Sequence, residues 1–190
     1  MRYTVSSPQL SLFKREQKIE FEALFSEEEI DALKKELDRA YAEKPTGYEL
    51  QREDLPLTKG MKLTRFGQIA SALMKKSPLR LAFIKYHLDY PTSATIDQIS
   101  SVTEVCGSAI LALENNDLEL LPQQKGNAIF YDTRHPLPFP IEGAFLLLVF
   151  TTDKARYRLN DSDPYTHYLK NLGYGFGDRL TTESHPYIAR

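Results

Sequence analysis

The sequence has a single cysteine, no long apolar run and almost no net charge, and each of these shortages argues against a class of protein. Cys106 cannot form a disulfide within the chain, and it cannot build a thiolate zinc site by itself. The longest strongly apolar run, residues 144–150, is far shorter than the roughly 20 residues of a membrane-spanning helix. The first residues also lack the apolar run of a secretory signal. We therefore expect a soluble cytoplasmic protein with no membrane partner.

The balance of charges argues against a protein whose main partner is nucleic acid. The chain has 24 Lys and Arg residues against 26 Asp and Glu residues, which gives a net charge of −2. The basic residues occur in scattered pairs, such as Lys14/Arg15 and Lys75/Lys76, and form no polybasic stripe. Proteins that bind nucleic acid neutralise phosphates with clustered bases. We therefore do not expect a nucleic-acid partner, and the sequence does not define an oligomeric state.

Two stretches in the first half of the chain have the pattern of amphipathic helices. Ser26 is a candidate N-cap, and Glu29 three residues later completes a capping box. Phe25, before the cap, can pack on Ile30 as a hydrophobic staple. Apolar residues at helical spacing over 63–74 predict a second helix, which must end before Pro78.

Most of the remaining chain consists of short apolar runs divided by Pro, Gly, Asn and Asp, a pattern typical of an antiparallel sandwich or barrel. The predicted extended segments are 10–13, 19–24, 79–86, 96–105, 109–114, 118–121, 128–131, 144–152 and 156–159. The segment 156–159 would form a hairpin with the strand before it, and a last short helix would follow Pro164 and end at Gly173.

Together these elements predict an α+β fold. Its core would be a double-stranded β-helix, which is a jelly-roll or cupin-like barrel, with the N-terminal helices packed on its outer face. We expect one domain over residues 1–190, with a helical part at 1–78, the β core at 79–160 and a C-terminal helix and tail at 161–190. Small ligands of such folds bind in the mouth between the sheets.

The stretch 125–150 is the first place to look for a functional site. It contains a turn, the predicted strand 128–131, a loop with Arg134 and His135, a proline-rich crossing and a second apolar strand. An imidazole at the end of a buried strand is well placed to hold a metal ion or a proton. No Gly-rich phosphate loop, nucleophile elbow or Cys-x-x-Cys motif offers a competing chemistry.

Three passages give the chain a resemblance to a known family. They are residues 21–33, an amphipathic helix with its lead-in, residues 106–113, a Gly-led apolar strand, and residues 121–131 followed by His135. In this order they resemble the Fe(II)/2-oxoglutarate-dependent oxygenases, particularly the phytanoyl-CoA and prolyl hydroxylase branches. The resemblance implies oxidation of a small molecule or of a protein side chain, with Fe(II) held by a facial set of two histidines and one carboxylate.

The resemblance leaves two registers open for these metal ligands. His135 matches the distal histidine in both of them. In one register His87 and Asp89 form the upstream His-x-Asp motif and complete the set. In the other, the motif falls on Thr95-Ile96-Asp97, so that only Asp97 and His135 remain and a threonine replaces a histidine.

The family's co-substrate site departs from the pattern at Phe145. The resemblance places an arginine here, early in the strand after the distal histidine, where its guanidinium pairs with the far carboxylate of 2-oxoglutarate. An apolar ring cannot replace that charge-assisted pair, and we therefore expect that 2-oxoglutarate is not the ligand. Lys85, Arg134 and Arg156 are the bases that could reach in from elsewhere.

Three functional hypotheses follow from the resemblance. The first is a protein with the oxygenase fold and an altered site, whose ligand the sequence does not define. The second is an active non-haem iron oxygenase that uses His87, Asp89 and His135. The third is a metal-responsive transcriptional regulator that uses the same histidines as a sensor.

Overall fold

A computed structural model describes residues 3–43, 63–88, 90 and 92–190, apart from the side chain of residue 87. Three α-helices and six β-strands are present in these residues, together with a short 3-10 helix at Tyr168–Leu172. The helices are α1 (Ser7–Glu16), α2 (Glu27–Glu43) and α3 (Leu63–Met74). The strands are β1 (Lys18–Phe21), β2 (Leu79–Leu88), β3 (Val105–Ala112), β4 (Ala128–Tyr131), β5 (Ile141–Thr152) and β6 (Tyr187–Ala189). Within the described ranges no helix is both long and apolar enough to cross a membrane.

The six strands form one curled antiparallel sheet in the order β1-β4-β3-β5-β2-β6. β5 lies in the middle, with Leu146 opposite Leu111 of β3 on one side and opposite Tyr86 of β2 on the other. The layer that faces this sheet is held by isolated bridges, among them Ala94 with Leu137 and Val102 with Tyr157. The described strands therefore form a half-barrel, which irregular segments close on its concave side.

Each face of the sheet packs on a different partner because successive side chains of a strand point to opposite faces. On β5, Leu146, Leu148 and Phe150 pack with the apolar stripes of α2 and α3. Their neighbours Leu147 and Val149 face the interior of the half-barrel. The predicted packing of helices on the outer face of the β core is confirmed.

The predicted cap of α2 is present, and it also joins two helices. The Ser26 backbone N–H donates to the Glu29 carboxylate at 3.0 Å, and the Glu29 N–H donates to Ser26 Oγ at 3.3 Å. Arg65 of α3 donates to both carboxylate oxygens of Glu29 at 2.9 and 3.0 Å, and its guanidinium lies 4.5 Å from the centre of the Phe25 ring. The cap therefore fixes both the start of α2 and its position against α3.

We expect Ser26→Ala to reduce the free energy of unfolding by about 1 kcal/mol, since an N–H of the first turn loses its acceptor. Urea denaturation measures this change. Ser11→Ala is the matched control because Ser11 is exposed within α1, where alanine is a good helix former. Equal losses in the two variants would contradict a capping role for Ser26.

Several predicted segments have another structure. Residues 10–13, predicted as extended, lie in α1, whose capping box joins Ser6 and Gln9. Residues 118–121 form a turn, in which the Leu121 N–H donates to the Leu118 carbonyl at 3.1 Å. Residues 156–159 do not form a hairpin with β5, because Tyr157 bridges Val102 instead.

The predicted strand 96–105 is also wrong over most of its length. Side chains here bond to nearby backbone and so compete with strand pairing. The Thr95 N–H donates to the Gln98 side chain at 2.8 Å, and Ser100 Oγ bonds both the N–H and the carbonyl of Val102, at 3.1 and 3.0 Å. Only the end of the segment, from Val105, belongs to β3.

Candidate site in the half-barrel

His135 lies in the loop that follows β4. Its backbone N–H donates to the Asp132 carbonyl at 3.0 Å, which closes the turn, and its half-exposed ring lies 5.3 Å from the Tyr131 ring. Nδ1 is 2.9 Å from the Pro136 carbonyl oxygen. Since a carbonyl oxygen can only accept, this contact requires the proton on Nδ1. The lone pair of Nε2 is then the one that can bind a metal ion or take a proton.

The first register of predicted ligands cannot be traced in full, because it includes atoms outside the residues that the structure describes. His87 is the residue of β2 between Tyr86 and Leu88, which pair with Leu146 and Ile141 of β5, but its side chain is not described. Asp89 lies outside the described residues. The set of His87, Asp89 and His135 therefore stays a prediction.

A backbone bridge joins the residue before the second register to a residue shortly after His135. Ala94 and Leu137 form an antiparallel bridge, with hydrogen bonds of 3.3 and 2.9 Å between their backbones. The bridge is isolated, so it fixes the separation of the two backbones only at Ala94 and Leu137.

The side chains of the second register make other contacts. Thr95 Oγ1 donates to the Gln98 side chain at 3.1 Å. The exposed Asp97 carboxylate accepts from Arg158 at 3.1 Å. Across the part of the chain that the structure describes, no group of three His, Cys, Asp or Glu side chains is placed to hold a metal ion. The described donors therefore do not make up a facial triad.

Phe145 lies on the interior face of the half-barrel. It is opposite Ala112 of β3, and only 2% of its surface is exposed. It packs in an apolar cluster with interior residues of several strands and with Tyr157 and Leu169 from the segments that close the concave side. At this point of β5 the interior therefore offers an aromatic ring and no hydrogen-bond donor.

Of the three bases considered from the sequence, only Lys85 is buried in this interior. It is 2% exposed, its Nζ donates to the Tyr165 hydroxyl at 2.8 Å, and the same Nζ lies 3.9 Å from the centre of the Tyr165 ring. A buried ammonium needs such hydrogen-bond and aromatic partners because it has lost its water.

The other two bases bind elsewhere. Arg134 is paired with Asp132 at 2.8 and 3.2 Å, and this guanidinium holds the pKa of the Asp132 carboxyl below its usual range. Arg156 donates to the Gly177 carbonyl at 2.6 Å in an exposed position. The interior positive charge therefore comes from β2, the neighbour of the strand that carries Phe145.

Comparison with known proteins finds similar structures but no similar sequences. No family model matches the sequence, and no curated protein matches it either. Among solved structures, the non-heme α-ketoglutarate-dependent epimerase SnoN of nogalamycin biosynthesis is similar, with a TM-score of 0.75 and 14% identity over 95% of this chain and 97% of that chain.

Two further solved structures are similar. EctD from S. alaskensis, solved with 2-oxoglutarate and 5-hydroxyectoine, has a TM-score of 0.63 and 14% identity over 85% of this chain and 83% of that chain. CT296 from Chlamydia trachomatis has a TM-score of 0.55 and 18% identity over 80% of this chain and 97% of that chain. This chain has the fold of the Fe(II)/2-oxoglutarate-dependent oxygenases. The predicted α+β fold with a jelly-roll-like core is confirmed.

SnoN has also been solved in complex with Fe3+, α-ketoglutarate and nogalamycin RO. At 14% identity the likeness to this oxygenase-fold protein concerns the fold, so the ligands of SnoN do not define those of this chain. What the fold contributes here is the interior face of the sheet, on which Lys85 and Phe145 lie on adjacent strands.

A second polar cluster lies near the C-terminal end of the sequence, and the sequence analysis did not predict it. His185 is fully buried, its Nδ1 is 2.7 Å from Ser184 Oγ, and that oxygen is 2.6 Å from the Tyr174 hydroxyl. Burial, helped by the nearby Arg80 guanidinium, lowers the pKa of His185 to about 3. An imidazole with so low a pKa is neutral at neutral pH and a poor general base, which makes His185 a structural group.

Proposed function

We propose that this protein keeps the oxygenase fold around an altered site and does not use 2-oxoglutarate as an ordinary co-substrate. The observation that carries the proposal is the buried position of Phe145 on the interior face. The far carboxylate of 2-oxoglutarate needs a charge-assisted partner once it leaves water, and a phenyl ring cannot supply one. The ligand of the altered site would be a small molecule or a protein side chain that makes fewer charged contacts.

The described donors also support an altered metal site. The contact of His135 Nδ1 with the Pro136 carbonyl leaves Nε2 as the nitrogen that would bind a metal ion, whereas Thr95 and Asp97 make other contacts. Bound Fe(II) would supply oxygen chemistry, with His135 as one of its ligands. The role left to this chain's own residues is to orient a ligand against the aromatic interior and to keep water out.

An active non-haem iron oxygenase is the second candidate, and one observation favours it. Lys85 places a buried positive charge on β2, beside the strand that carries Phe145. In this alternative Lys85 replaces the missing arginine, and His87, Asp89 and His135 hold the iron. No finding in the described residues supports the metal-responsive regulator, and we do not carry that hypothesis further.

A thermal-shift series with Mn(II) in place of Fe(II) tests the proposal. A ligand that binds only the folded protein raises its unfolding midpoint, and a ligand that does not bind leaves it unchanged. We expect millimolar 2-oxoglutarate to leave the midpoint of the wild type unchanged. A clear rise that Lys85→Met abolishes would overturn the proposal in favour of the active oxygenase.

A matched control variant and a separate metal titration make the thermal-shift test specific. Arg134→Met removes a base from the surface and is the matched control for Lys85→Met. Calorimetric titration with Mn(II) of the wild type and of His135→Ala tests the metal separately, because the active oxygenase requires binding that His135→Ala weakens strongly. If Mn(II) binds through His135 and 2-oxoglutarate binds through Lys85, the proposal of an altered site is wrong.

A further inference from the structure

A groove of about 530 Å³ lies on the surface between residues 117–121 and residues 138–142. Its floor is apolar and includes the buried side chains of Leu121 and Ile141, with Pro138 and Pro140 beside them. The groove uses neither Lys85 nor His135, and an inference about it is independent of the proposed function.

Two leucines line the groove with much of their surface in water. Leu118 is 43% exposed and Leu120 is 59% exposed. The turn that carries them is ordered, because Leu118 N–H donates to Asn116 Oδ1 at 3.0 Å and the Tyr131 hydroxyl donates to the Leu120 carbonyl at 3.2 Å. These hydrogen bonds fix the backbone that carries the two leucines, so a partner that covers them does not have to order this turn.

The charges around the groove have one sign. Asp117, Glu119 and Glu142 line it, and all three are exposed. None of the described residues that line the groove is basic. The rim therefore attracts a cationic partner and repels an anionic one, while the leucines and prolines favour an apolar contact.

We propose that this groove docks a peptide segment of another protein in which apolar side chains are flanked by lysine or arginine. The apolar side chains would cover Leu118 and Leu120, and the flanking bases would pair with Glu119 and Glu142. A cavity of this size accommodates a few side chains, which suits a short segment better than a whole domain surface.

Fluorescence anisotropy with a short labelled peptide of leucines and lysines tests the proposal on the full chain. We expect saturable binding that weakens as NaCl is raised, because exposed charges are screened by salt. Leu120→Ser should weaken binding about tenfold, since the loss of one buried leucine contact is worth about that factor. Glu119→Lys should weaken the lysine peptide and strengthen a matched peptide with glutamate in place of lysine.

Matched controls separate the groove from the rest of the surface. Leu159→Ser removes another leucine that is 52% exposed, and Glu22→Lys reverses another exposed carboxylate, and neither should change binding. The unfolding midpoint of each variant checks that it is folded. The proposal is wrong if the two peptides bind the wild type equally or if Leu120→Ser binds like the wild type. It is also wrong if size-exclusion chromatography shows a dimer that Leu120→Ser dissociates, because the groove would then be occupied by a second copy.

Discussion

Replacing Gly67 by alanine will destabilise the protein by about 3 kcal/mol, the upper end of the usual cost of inserting one methyl group where there is no room. Gly67 is buried in α3, at the point where the helix meets β6. A Cβ at this position would lie 1.9 Å from the carbonyl oxygen of Ile188 and 2.5 Å from its carbonyl carbon. Both are backbone atoms, and no change of side-chain rotamer can relieve the contact.

The relief must come from moving one of the two elements. Either α3 moves away from the sheet, or β6 gives up its pairing with β2, in which Leu79 lies opposite Ala189 and Arg80 opposite Tyr187. Alanine is otherwise the better helix former by about 1 kcal/mol, so a net loss of stability can only come from the close approach.

Urea denaturation of Gly67→Ala and of Gly175→Ala checks this result. Gly175 is the matched control because its nearest contact for an added Cβ is Asp178 Oδ2 at an ordinary 3.4 Å. We expect the control to change the free energy of unfolding by less than about 1 kcal/mol. A Gly67→Ala variant as stable as the control would mean that α3 and β6 are not in contact at this point.

Local sequence signals predicted α2 and α3, whereas α1 was missed although it begins with the same kind of cap as α2. Ser26 and Glu29 are a capping box in the sequence and in the structure. α1 begins with the same device, in which the Ser6 N–H donates to the Gln9 side chain at 2.8 Å. The signal was therefore present, but the mostly apolar segment 10–13 was interpreted as extended.

The strands were predictable where the chain is apolar throughout and not where polar side chains find backbone partners nearby. β4 was predicted with its observed bounds because all four of its residues are buried. The segment 96–105 also contains several β-branched residues, but Ser100 and Thr95 bond to neighbouring residues instead. Such competition depends on local geometry, which residue types alone do not determine.

The interior position of Lys85 could not be predicted because it depends on an irregularity in the strand. Leu79 and Leu81 face the helices, and simple alternation from them would place residues 83 and 85 on the same face. The pairing of β2 with β5 shifts between Leu81 and Phe83, so that Phe83 faces the interior. A shift of one residue moves every later side chain to the other face of the sheet, and it turns Lys85 inward.

The relative position of the candidate ligands also depends on contacts between residues that are far apart in the sequence. His135 was predicted from its place after an apolar strand. The bridge between Ala94 and Leu137, which lies two residues after His135, joins residues separated by more than half of the β core. A bridge of this kind leaves no local signal, which is why the sequence left the two registers open.

Acid will destabilise this protein through His185, and removing that histidine will reduce the acid sensitivity. Burial and the nearby Arg80 guanidinium lower the pKa of His185 in the folded state to about 3. In the unfolded chain a histidine has a pKa of about 6.5. Below that pH the unfolded chain binds a proton that the folded protein does not bind, so stability falls as the pH falls. The stabilisation by the neutral imidazole is fully present above about pH 6.5 and is lost progressively towards about pH 3.

Between about pH 7.5 and about pH 5, this single group should remove about 2 kcal/mol from the free energy of unfolding. Urea denaturation at both pH values, on the wild type and on His185→Gln, isolates that loss. Any pH-independent cost of the substitution cancels in the difference, and so do carboxylates such as Asp132, whose pKa is lowered by Arg134 in both proteins. His135→Gln is the matched control for the substitution itself, because it removes a histidine from a half-exposed loop. If His185→Gln lost as much stability in acid as the wild type, the proton would have to bind elsewhere, and the buried Ser184–His185 pair would not be the acid-sensitive part of the fold.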